Sequence, residues 1–68
     1  AASARRVLTD EDRRMLTRYV NDGVSAYRAG DLRSAIAAFS RALAIDPTDA
    51  TAASYRARAE RKLERVGE

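Results

Sequence analysis

The sequence contains no cysteine and no histidine. The first absence excludes disulfides, thiolate nucleophiles and thiolate metal ligands. The second removes the side chain that most often serves as general base. Neither a Ser-His-Asp nor a Cys-His set can therefore be assembled. Glycine is confined to Gly23, Gly30 and Gly67, which cannot form a phosphate-cradling loop. Tryptophan is absent and Pro47 is the single proline. No run reaches the roughly 18 apolar residues of a membrane-spanning helix, so no membrane insertion is expected. No loop has the spaced Asp/Asn/Gly pattern of a calcium site, and no metal or cofactor is expected. The remaining Tyr, Lys and carboxylates form no visible catalytic constellation, so the chain reads as a non-enzyme.

What is present bounds the rest. A chain of 68 residues makes one small domain. A single core of that size leaves roughly 3–5 kcal/mol of net stability, and without disulfide or zinc it must come from helix packing or a partner surface. The 13 basic and 10 acidic residues give a net charge of +3. Their interleaving points to solvated helix faces and against a nucleic-acid site, a reading that would rest on the arginine count alone. All the basic residues but Lys62 are arginine, which with abundant alanine suggests GC-rich coding and a bacterial source. The opening Ala1-Ala2-Ser3-Ala4-Arg5-Arg6 has neither methionine nor an apolar signal core. It reads as an excised piece of a longer protein or as a processed terminus. Composition assigns no compartment.

Along the chain, residues 1–8 carry no periodicity and read as a flexible lead-in. A single domain is expected over 9–68. Thr9 is a good N-cap, and Asp10, Glu11 and Asp12 then place negative charge in the first turn, where the helix dipole favours it. Met15, Leu16, Tyr19, Val20, Gly23, Val24 and Tyr27 recur at helical spacing. This predicts a first helix over about 10–29, ended by Gly30 in a left-handed cap. Asp31 caps a second helix over 32–45, with Leu32, Ala35, Ile36, Phe39, Ala42 and Leu43 on one face. Asp46-Pro47 ends it, because proline disfavours α geometry in the residue before it. Thr48 or Asp49 then caps a third helix over 49–66. Its apolar stripe, Ala52, Tyr55, Ala59, Leu63 and Val66, is narrow. Arg56, Arg58, Glu60, Arg61, Lys62, Glu64 and Arg65 occupy the other side. The fold class is all-α: an antiparallel helical hairpin plus a third helix that covers it.

Tyr19, Gly23, Ala35, Phe39 and Pro47 follow one another at intervals of four, twelve, four and eight, with Ala42 small between the last two. In this the stretch resembles a tetratricopeptide repeat, a helix–turn–helix unit of about 34 residues. The resemblance covers about residues 16–49 and implies one repeat with a C-terminal capping helix. It also implies a scaffold that binds another protein or peptide. Two positions depart from the family pattern: Asp22 stands where leucine is usual, and the next aromatic is Tyr27, with Ala26 in the place it usually takes. The apolar face of the first helix is thereby rotated toward what would be the concave side of a longer array.

Thr17, Val20, Asn21, Val24, Tyr27 and Arg28 line that side and form the candidate partner-binding surface. The alternative for Val20, Val24 and Tyr27 is plain core, covered by the third helix or the lead-in. Family members that clamp a C-terminal carboxylate use Lys and Asn here; only Asn21 matches, so that clamp is not expected. A second candidate surface is Met15 with Leu16. There the long first helix would self-associate into a homodimer, unless the lead-in folds back over it.

Overall fold

The computed structural model describes residues 8–67, with side chains placed up to Arg65. Most of the lead-in expected over 1–8 lies outside the described residues, as does the side chain of Val66. Among the described residues every regular element is a helix: α1 (Asp10–Ala29), α2 (Leu32–Ile45) and α3 (Ala50–Gly67).

Both ends of α1 and α2 and the start of α3 are fixed by short-range hydrogen bonds. At the start of α1 the Asp12 amide donates to the Thr9 hydroxyl oxygen at 3.0 Å, and the Thr9 amide donates to the Asp12 carboxylate at 3.2 Å. This reciprocal box satisfies donors the helix itself cannot. Gly30 ends α1 at φ 85°, the left-handed region. Its amide donates to the Tyr27 carbonyl and the Asp31 amide to the Ala26 carbonyl, closing a Schellman turn. The Asp31 carboxylate then accepts from the Ser34 amide and caps α2. After α2, Asp46 accepts from both the amide and the hydroxyl of Thr48, at 3.0 and 2.6 Å. These bonds, the hydroxyl's first, hold the Asp46 carboxyl below its ordinary pKa. Asp49, not Thr48, caps α3, accepting from the Ala52 amide at 3.0 Å.

The three helices lie in a row with α2 in the middle. α2 packs along both neighbours, while α1 and α3 meet little. Phe39 stacks on Tyr55, and earlier on α2 Ile36 shares a cleft with Leu63 further along α3. Those two helices therefore run in opposite directions.

Burial follows this order. Ala35, Phe39 and Ala42 of α2 cluster with Ala52 and Ala59 of α3, Gly23 of α1 lies against Phe39, and Ala38 is buried on α2 outside that cluster. Phe39 is the large side chain that is fully enclosed. The rest of the buried set is small, so the helices approach closely rather than being held apart by bulky residues. Half-buried Leu16, Tyr19, Val20, Val24, Leu32, Ile36 and Leu43 seal the margins. No buried side-chain polar atom lacks a partner among the described residues.

Candidate functional site

α1 comes close to α2 at Gly23. A β-carbon built on Gly23 would stand 2.5 Å from Cε1 of Phe39, 2.7 Å from Cζ and 2.8 Å from Cδ1. Glycine at 23 thus makes the slot in which the Phe39 ring lies. On α3, Tyr55 stacks on Phe39 with centroids 5.4 Å apart and ring planes 18° apart. Tyr27 of α1 meets Tyr55 edge to face at 5.5 Å. The Lys62 ammonium sits 4.8 Å from the centroid of Tyr27, within cation–π range. Arg58 lies 5.9 Å from that of Tyr55. Aromatic rings therefore link all three helices, with a cation over each of the two tyrosines.

This cluster places the candidate partner-binding residues. Tyr27 is half-buried and engaged by Tyr55 and Lys62. Val20 and Val24 are half-buried and pack against the core. Thr17, Asn21 and Arg28 are exposed. The result is a strip along α1: two valines partly open to solvent, polar residues along the exposed side, and the Tyr27–Lys62 pair at its C-terminal end. The strip is thus a partly apolar seam with a polar edge.

Met15 and Leu16, paired in the sequence reading, are separated in the structure. Leu16 packs against the core, whereas Met15 is 39% exposed, the large apolar side chain left most open among the described residues.

Sequence reasoning grouped Arg58 and Lys62 with the solvated side of α3. The structure puts both over aromatic rings. The signal was available in the spacing, since Tyr55, Arg58 and Lys62 stand three and four residues apart and share a helix face. It also passed over a cleft of about 450 Å³ between α2 and α3, lined by Ile36, Glu60, Leu63 and Glu64.

Among the described residues no group of three or more carboxylates could hold a metal ion. No helix among them is long and apolar enough to cross a membrane. No family model matches the chain, and no curated protein and no solved structure matches it.

Proposed function

We propose that the chain is a non-enzymatic docking module of the tetratricopeptide-repeat type, which holds another protein or peptide against α1. The observation that carries this reading is the strip itself: exposed Thr17, Asn21 and Arg28 beside half-open Val20 and Val24. Beneath it, the residues that resemble the repeat pattern do the packing. Gly23 receives Phe39, and Ala35 and Ala42 are fully buried between helices. A surface helix held this rigidly can bind without first paying to become ordered. The lack of His and Cys supports a binding role over a catalytic one.

Thr17→Arg combined with Asn21→Arg tests the reading, because both side chains are exposed and neither enters the core. The variant should lose its protein partner in a binding assay while keeping its helical circular dichroism and melting temperature. Undiminished binding would remove α1 as the docking surface. A second reading, self-association, is favoured by the exposure of Met15.

A further inference from the structure

The cleft between α2 and α3 is shallow and open, lined by the apolar Ile36 and Leu63 together with the carboxylates of Glu60 and Glu64. Those carboxylates are one helical turn apart, a like-charge spacing that is mildly destabilising. On the outer face of α1, Arg14 and Arg18 repeat the same spacing with opposite charge, beside exposed Met15. Among the described residues none of these four charged groups forms an ion pair. Each row carries opposite charge at four-residue spacing on its own helix, Asp10 and Asp22 about the arginines and Arg56 before the glutamates, so its repulsion is partly offset within the chain and the other row would add the remaining complement.

The helical screw makes the match specific. At 3.6 residues per turn, Met15 lies roughly 80° to one side of the Arg14–Arg18 row, and Leu63 lies roughly 80° to the other side of the Glu60–Glu64 row. Two parallel helices set face to face need that opposite sense. The arginines then meet the glutamates in register while Met15 meets Leu63 and Ile36. Within one chain the two faces lie on different helices and both point to solvent, so the pairing is available only between chains.

We infer that the α2–α3 cleft is the docking site for α1 of a second copy of this chain, seated by Met15 and by the Arg14–Glu60 and Arg18–Glu64 pairs. The two surfaces differ, so the contact is heterologous and each copy keeps one surface of each kind to offer. On α1 the Arg14–Arg18 row borders the docking strip, since Thr17 and Asn21 stand three residues beyond Arg14 and Arg18. The inference rests on the second reading above, self-association, and differs from the docking function in its occupant: Met15→Ser and the glutamate exchange on α3 leave Thr17 and Asn21 untouched, so they bear on self-association alone.

A charge exchange provides the test. Sedimentation of the full chain at up to about 1 mM, a range suited to a small and weak interface, should show a mass that rises with concentration and falls with added salt. E60R/E64R alone and R14E/R18E alone should each weaken association about tenfold or more, since like charges then face one another. An equimolar mixture of the two variants should restore it, because each variant now carries the complement of the other. Met15→Ser, which leaves every charge in place, should weaken association in the native background. Circular dichroism monitors the fold of every variant. A native chain that stays monomeric throughout the range overturns the inference. So does association that survives both exchanges, or a mixture of folded variants that fails to recover it.

Discussion

The Phe39 ring occupies the space that a side chain at Gly23 would need, its Cε1 only 2.5 Å from where a β-carbon would stand. Two effects compete at this position. Alanine has better helix propensity than glycine by about 1 kcal/mol. Overpacking a filled core costs about 1–3 kcal/mol. Phe39 is fully buried and stacked on Tyr55, so a shift of the ring must disturb its neighbours. Packing should win, and Gly23→Ala should lower stability in urea unfolding. A double-mutant cycle with Phe39→Leu should show positive coupling, because the smaller side chain makes room for the methyl. Additive effects would mean that the close approach is not what requires glycine.

Gly30 provides the opposite case. A β-carbon there would meet nothing within 4 Å, so the requirement for glycine lies in its φ of 85° alone. Gly30→Ala should cost about 1 kcal/mol through backbone strain. D-Alanine, which favours positive φ, should be neutral or stabilising, and a chain of 68 residues is within reach of chemical synthesis. Equal loss from both enantiomers would contradict the cap geometry.

The aromatic link between α1 and α3 should be measurable as a coupling. Tyr27 touches Tyr55 and carries Lys62 over its ring. Removing Tyr27 by substitution with leucine should cost about 0.5–1.5 kcal/mol for the lost ring pair. A cycle between Tyr27→Leu and Lys62→Met should return a coupling of about 0.5–1 kcal/mol. This coupling should persist in high salt better than a surface ion pair would. A coupling of zero would leave Lys62 a solvated side chain.

Asp46 should give the fold an acid-sensitive turn. Its folded pKa is lowered from the ordinary 3.8, first by the Thr48 hydroxyl and then by the Thr48 amide. A lowered folded pKa means stability that is fully present above the ordinary value and is lost as pH falls through the folded one. Unfolding curves below about pH 4 should show this loss. Thr48→Val removes the hydroxyl and should raise the Asp46 midpoint in a carboxyl NMR titration. An unchanged midpoint would assign the shift elsewhere.

How far these features could be read in the sequence depends on their range. Helix ends were legible because their causes are local: Thr9 and Asp12, Gly30, and Asp46 with Pro47 each act within a few residues. In the sequence either Thr48 or Asp49 can serve as the third cap; the turn decides it by tying Thr48 to Asp46. Ala38 escaped the sequence reading. It is buried on the middle helix, and one extra alanine does not alter an apolar period. Tyr27 stayed ambiguous between groove and core, because its surroundings come from Tyr55 and Lys62, residues about thirty positions away. The cleft at Ile36 and Leu63 was invisible for the same reason: it exists only once α2 and α3 are side by side.

Site-specific photo-crosslinking in the cells that make the protein tests the docking account most directly. A photoreactive side chain at Asn21 would stand on the exposed edge of the α1 strip, and one at Ala37 on an exposed position of α2. The account predicts that position 21 captures one other protein, that position 37 does not, and that Thr17→Arg abolishes the adduct. No adduct at position 21, equal labelling from both positions, or an adduct only to a second copy of this chain would contradict it.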